Sequence, residues 1–253
     1  MSEIFCKILQ FIRQKEFEHA LLLLKKLEKK SVLNWYHTYL IGFCYRQLGD
    51  HPESIIYYKK SLSILPRQPI TINALGISYQ KLGQFERAQR CYEKSIDLLN
   101  IRYLPKWSSY SITCRTLLAE AFNSLGVVQQ LLAEKQNHNR ILKLKSLKYH
   151  LNALEIECEI LNFKLKRPRP AIGTSKGRPD FLSIWTLENR LMSEPSNLTI
   201  FLVNYAAQLF RVGDKYFARQ LMIYIKSQID ESHPQWGLVG NLLADMCCRR
   251  PKG

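Results

Sequence analysis

The chain has no apolar stretch near the ~18 residues that a bilayer-spanning helix needs. Its purest run, Ala20-Leu21-Leu22-Leu23-Leu24, is five residues long. Glycine and proline are scarce, 11 and 10 of 253 residues, which excludes collagen-like and low-complexity architecture. Met1 to Arg13 shows neither the basic head, the long apolar block nor the small-residue cleavage site of a secretory leader. This predicts an intracellular, cytoplasmic protein. The seven cysteines (Cys6, Cys44, Cys91, Cys114, Cys158, Cys247, Cys248) contain no C-x-x-C pair and no histidine at metal-ligand spacing. Odd in number and set mostly among apolar residues, they are expected to be small buried side chains in a reducing compartment. The adjacent Cys247 and Cys248 are the one candidate redox pair.

Recognisable catalytic arrangements are missing too. None of the six histidines (His19, His37, His51, His138, His150, His233) has another at the i, i+4 spacing of a metal-binding helix. No glycine-rich loop ends in Lys-Ser/Thr to cradle a phosphate. Gly173-Thr174-Ser175-Lys176-Gly177 matches the nucleophile-elbow pattern formally, but it sits between basic prolines and lacks the flanking strand and helix that would strain Ser175 outwards. Glu155, Glu157 and Glu159 alternate along a helical stretch and cannot all point one way, so they read as a solvated acidic edge. A non-catalytic protein with no cofactor and no metal is expected.

The apolar share, 46%, and the charged share, 23%, are those of a globular chain. The charge is one-sided: 37 basic against 21 acidic residues, net +16. Such a surface attracts acidic proteins, nucleic acid or anionic lipid. Half of the excess falls in 135–178, where 11 cations face three glutamates. The basic patch comprises Lys143, Lys145, Lys148, Lys164, Lys166, Arg167, Arg169, Lys176 and Arg178. An acidic protein would be served by it, and RNA or DNA stands as the alternative partner, although no nucleic-acid-binding motif is present.

The strongest positive signal is repetition. A Gly-x-x-Tyr-x-x-Leu-Gly frame recurs at a step of 34, with Gly42→Gly76, Tyr45→Tyr79, Leu48→Leu82 and Gly49→Gly83. Ser54→Ala88, Tyr58→Tyr92 and Ser61→Ser95 keep the step, and one step upstream lie Ala20, Leu24 and Leu27. Small residues at 42 and 76, opposite Ser54 and Ala88, let two helices approach closely. The tyrosines are expected to fill the space between successive hairpins. Gly49 and Gly83 suit a turn that needs positive φ.

This frame resembles the tetratricopeptide repeat family, whose unit is a 34-residue pair of antiparallel helices. The resemblance is strong over 35–102, good for the second helix of 1–34 and partial near 119–160, where Ser146, His150 and Ala153 arrive about eight residues late. A last unit near 199–232 keeps Ala206, Gly213, Ala218 and Met222. The resemblance implies an all-α solenoid of stacked antiparallel hairpins winding as a right-handed superhelix. We expect three hairpins over 1–102, an irregular hairpin over 103–163 with a loop insertion at 134–140, a basic Pro/Gly linker or exposed loop at 164–180, and a helical unit with a capping helix over 181–253.

The resemblance also implies a role. In such arrays the first helices of the hairpins line a concave groove that holds a partner segment. Carried over by register, Tyr36, Tyr39, Phe43 and Arg46 come from the second hairpin. Asn73, Ile77 and Gln80 come from the third, and Asn123, Val127 and Gln130 from the fourth. The competing reading is that the tyrosines pack between helices. Clamps for acidic C-terminal tails use Lys and Arg at these inner positions; here they are Tyr39, Asn73, Ala74 and Glu120, which disfavours a chaperone-tail receptor. The expectation is a scaffold or adaptor within a protein complex, gripping an extended or helical internal segment of a protein partner.

Overall fold

The computed structural model describes residues 3–29, 34–99, 109–164, 174–175, 178–179, 197–229 and 231–248. These residues are helical apart from turns and one short β-ladder. The helices are α1 (Glu3–Arg13), α2 (Phe17–Lys29), α3 (Trp35–Gln47), α4 (His51–Ile64), α5 (Pro69–Lys81), α6 (Phe85–Leu98), α7 (Ser109–Lys135) and α8 (Arg140–Lys164). After the ladder of β1 (Thr174–Ser175) and β2 (Arg178–Pro179) come α9 (Leu198–Val212), α10 (Lys215–Gln228) and α11 (Trp236–Cys248). In the ladder Thr174 pairs with Pro179 and Ser175 with Arg178, antiparallel. Consecutive helices pack as antiparallel hairpins, giving an all-α solenoid. The chain divides into two compact units, 1–100 and 101–253.

Helix ends follow local chemistry. The Asn34 side chain accepts from the backbone N–H of Tyr36 and His37, both at 2.9 Å, and starts α3. Asp50 accepts from Glu53 N–H at 3.1 Å to start α4, and Pro69 opens α5, where its missing N–H is not needed. The turns inside the first three hairpins place Lys15, Gly49 and Gly83 at φ 61°, 85° and 71°. These positions are 34 apart, so Lys15 holds a left-handed backbone that its successors give to glycine.

The hairpins are closed by one recurring contact. A Cβ on Gly42 would fall 2.9 Å from the Tyr58 ring; on Gly76, 2.7 Å from Tyr92; on Gly126, 2.8 Å from His150. Each ring therefore lies flat against bare backbone of the helix opposite. The sequence pattern predicts Gly42 and Gly76 against Ser54 and Ala88, with the tyrosines between hairpins; the Ser54 carbonyl does lie 3.2 Å from that position on Gly42, but Tyr58 and Tyr92 sit in the glycine slots within their own hairpins. In the fourth hairpin the ring follows its glycine by 24 residues instead of 16, and it is histidine. The first hairpin carries Ile8 and Leu24 at these two positions and the last Ala206 and Met222, all buried. Volume moves from one helix to the other while the pair is kept.

The rings are also tethered. The Tyr92 hydroxyl donates to Gln80 Oε1 at 2.8 Å, and Arg46 Nε donates to the Tyr58 hydroxyl at 3.2 Å. Ser61 and Ser95 donate to the carbonyls of Trp35 and Pro69, at 2.7 and 3.2 Å, fastening each hairpin at its open end. Between hairpins, Ser54 Oγ meets Ser78 Oγ at 2.8 Å. The Lys25 ammonium lies 5.6 and 4.3 Å from the centres of the stacked rings of Tyr45 and Tyr57 and bonds the Tyr57 hydroxyl. In the second unit, α9 packs on α8 and α7, with Gln208 Nε2 donating to the Lys143 carbonyl at 2.9 Å. Arg219 donates to the Met246 carbonyl at 2.9 Å, holding α11 to α10.

The loop expected at 134–140 is a shorter turn in the structure, and the eight added residues of the fourth hairpin go mostly into its helices. Glu134 and Lys135 are the last residues of α7 and Arg140 the first of α8, leaving a turn of 136–139. Glu134 accepts from the Gln130 side chain at 2.9 Å, an i, i+4 contact that favours helix, so the insertion lengthens both helices. Residues 101–108, most of the linker or loop expected at 164–180, residues 181–196 and the Cys247 and Cys248 side chains lie outside the described residues.

Three outcomes test this packing. Gly76→Ala destabilises by about 1–3 kcal/mol in urea unfolding, and adding Tyr92→Leu costs less than the sum of the two single changes because the slot then has room. Lys15→Gly raises the midpoint by relieving the left-handed backbone, a gain of about 0.5–1 kcal/mol. His150 is held neutral, its pKa lowered to about 3 by burial first and then by the Arg211 charge. The unfolded chain lets this ring ionise near 6.5, so its stabilising share is complete above that pH and is lost as pH falls towards 3. His150→Tyr, whose hydroxyl meets Gln130 as Tyr92 meets Gln80, should remove about 1 kcal/mol of the loss between about pH 7 and about pH 5.5.

Candidate partner-binding wall

Tyr36, Tyr39, Phe43 and Arg46 recur at steps of three and four, so they form one stripe along α3. The structure brings them together. Tyr36 stacks on Tyr39 with centroids 6.0 Å apart, and Tyr39 meets Phe43 at 6.4 Å. The Arg46 guanidinium lies over the Phe43 ring at 5.1 Å. Phe5 from α1 closes one end of the file on Tyr36 at 6.1 Å, and Phe17 from α2 closes the other on Phe43 at 6.0 Å. Tyr36, Phe43 and Arg46 are half-buried, while Tyr39 is buried against Tyr58. Phe5 is not among the residues expected from sequence, though the 34-residue step links it to Tyr39; His37, 5.1 Å from Phe5, has no such signal.

On α5, Ile77 and Gln80 are half-buried, and Gln80 is engaged by the Tyr92 hydroxyl. Asn73 is only 2% exposed, and its Oδ1 has no hydrogen-bond partner among the described residues. Its register mate in the second unit is spent differently. Asn123 Oδ1 lies 3.0 Å from His150 Nδ1 and accepts from Asn204 at 3.0 Å, tying α7, α8 and α9 together. Val127 and Gln130 are half-buried, and Gln130 donates to Glu134.

Of the basic patch, Lys145 and Lys148 are exposed on α8 and Lys143 is half-buried. The side chains of Lys164 and Arg178, and the whole of Lys166, Arg167, Arg169 and Lys176, lie outside the described residues.

The titrating groups near the wall suit recognition more than chemistry. Burial pushes the Cys44 thiol up to about 12 and Cys91 to about 11, which removes thiolate at neutral pH. Tyr58 rises to about 12, chiefly through burial. His51 is lowered, first by burial and then by Lys81 and Arg46. No group of three His, Cys, Asp or Glu that could hold a metal occurs among the described residues. None of the described helices is long and apolar enough to cross a membrane.

Comparison with known proteins agrees with this geometry. The anaphase-promoting complex subunit 6 of Dictyostelium discoideum is 36% identical over 66 residues, 26% of this chain and 8% of that protein. The uncharacterized protein ycf37 of Guillardia theta is 32% identical over 76 residues, 30% of this chain and 42% of that one. The matches thus span under half the length of either relative. Among solved structures, the assembly chaperone of RpL4 (Acl4) superposes with a TM-score of 0.52 at 14% identity, covering 97% of this chain and 96% of that one, a likeness of fold. Residues 31–101, which carry α3 to α6 and the whole ring file of α3, match the family model for the tetratricopeptide repeat.

Proposed function

We propose that the chain is a non-catalytic adaptor that grips a segment of a protein partner along the α3–α5 wall. The observation that carries this reading is the half-exposed file of Tyr36, Phe43 and Arg46 on the first helix of its hairpin. Aromatic and arginine side chains of this kind supply most of the energy in protein interfaces. The rings are already braced by Phe5, Phe17 and Tyr39, so binding would order little. Tetratricopeptide repeat proteins generally mediate protein–protein contact and complex assembly. Two matched proteins bear names of that kind, a complex subunit and an assembly chaperone. We place the chain in the cytoplasm, with the basic flank drawing in partners of opposite charge.

Photocrosslinking in cells with benzoylphenylalanine at Ile77 identifies the bound segment, which is then made as a peptide. Tyr36→Ala with Phe43→Ala should weaken that peptide about 100-fold, at about 1.4 kcal/mol per aromatic anchor, while helicity by circular dichroism is unchanged. Undiminished binding by the double variant would remove the wall from the interaction. Crosslinks to RNA, lost on modest addition of salt, would favour the nucleic-acid reading.

A further inference from the structure

The outward face of α8 carries a second recognition feature, separate from the wall. Residues 135–154 contain five cations and no carboxylate, and Glu155, Glu157 and Glu159 follow at once. At about 100° per residue, Ile141, Leu144, Lys145 and Lys148 share one stripe, and Glu155 and Glu159 continue it. The first four are all exposed, Ile141 at 66% and Leu144 at 49%. A helix favours acids near its N-terminus and cations near its C-terminus. In α8 the N-terminal half runs against this order: Arg140 and Lys143 stand in the first turn, where acids are favoured, and the glutamates follow in the second half, before the closing Lys164. Stability of the helix alone does not account for this pattern.

The charges are also under-used. Arg140, Lys145 and Lys148 form no ion pair among the described residues. Glu159 pairs with Arg115 at 3.1 Å, but Glu155 forms no ion pair among the described residues. Its carboxyl is raised above the ordinary carboxylate range, first by burial and then by the charge of Glu159.

We propose that this stripe docks a helical segment of a protein partner whose charge order is the reverse of its own. Acidic and apolar residues of that helix face Ile141 to Lys148, and basic residues face Glu155 and Glu159. Other occupants fit less well. A nucleic acid strand or an anionic membrane lying along α8 would meet the glutamates about 10–16 Å beyond Lys148, and the phosphates of a nucleic acid would also leave Ile141 and Leu144 without a partner. A second copy of the chain, paired antiparallel so that Lys145 faces Glu159, would set Leu144 opposite Ile160, which is buried.

The test uses the full chain and two synthetic helical peptides of about 20 residues with identical leucine positions. One is bipolar, glutamate in one half and lysine in the other; the other carries glutamate throughout. Fluorescence anisotropy should show the bipolar peptide binding at least about 5-fold more tightly despite its lower net charge, since only it matches both ends of the stripe. Lys145→Glu with Lys148→Glu, and separately Leu144→Gln, should each weaken it about 10-fold, with circular dichroism unchanged. Tyr36→Ala with Phe43→Ala should leave it untouched, which separates this surface from the wall. Equal or tighter binding of the all-glutamate peptide would reduce the effect to bulk attraction and overturn the proposal. So would binding of phosphatidylserine vesicles or of a uridine oligomer that is lost in Lys145→Glu with Lys148→Glu, or a doubling of mass in sedimentation abolished by Leu144→Gln.

Discussion

A flat ring laid on bare backbone sets the geometry of this molecule. Where Tyr58 meets Gly42, Tyr92 meets Gly76 and His150 meets Gly126, there is no space for even one methyl group, so the two helices of a hairpin close to a single distance. That spacing fixes which residues of the first helix turn inwards and which remain half-exposed. Tyr36, Phe43 and Arg46 stand on the wall because Gly42, on another face of the same helix, is held under Tyr58. The position of the aromatic file is thus a by-product of packing: the scaffold decides which rings stay half-exposed.

The two units use the same pair in different chemical settings. In the first, phenol hydroxyls are anchored by Arg46 and Gln80 on the helix that carries the glycine. In the second, an imidazole takes the slot and Asn123 turns to it, linking three helices through side-chain amides. The amide at that register therefore links three helices in one unit, and in the other its oxygen has no partner among the described residues. Identical register does not confer identical duty.

Much of this is legible in the amino-acid sequence. The 34-residue step marks hairpin boundaries, turn glycines and the stripe on α3, because each is a local matter of spacing and backbone conformation. The partner of each glycine is not legible: Ser54 and Tyr58 both lie on the facing helix, and only the approach of the backbones decides which fills the slot. Asn73 and Asn123 look equivalent by register for the same reason, and their difference arises from α9, more than seventy residues further along. The loop expected at 134–140 shrinks to a turn of 136–139 because polarity alone is a weak loop signal, whereas Gln130 and Glu134 are good helix formers one turn apart. The 34-residue step also carries Phe5 onto Tyr39, but a phenylalanine near the start of a chain draws little notice without its neighbours.

Trp35 stands at the head of the ring file, its indole 5.4 Å from Tyr36, while Trp236 in the other unit lies beneath the Lys226 ammonium at 5.3 Å. At such separations excitation absorbed by a phenol passes to the neighbouring indole, and a nearby positive charge shifts indole emission. The fold thus contains its own optical gauges, one beside the wall and one near the terminal helix. A chain in which Trp35 is the sole tryptophan would report occupancy of the wall through its colour, with no dye attached.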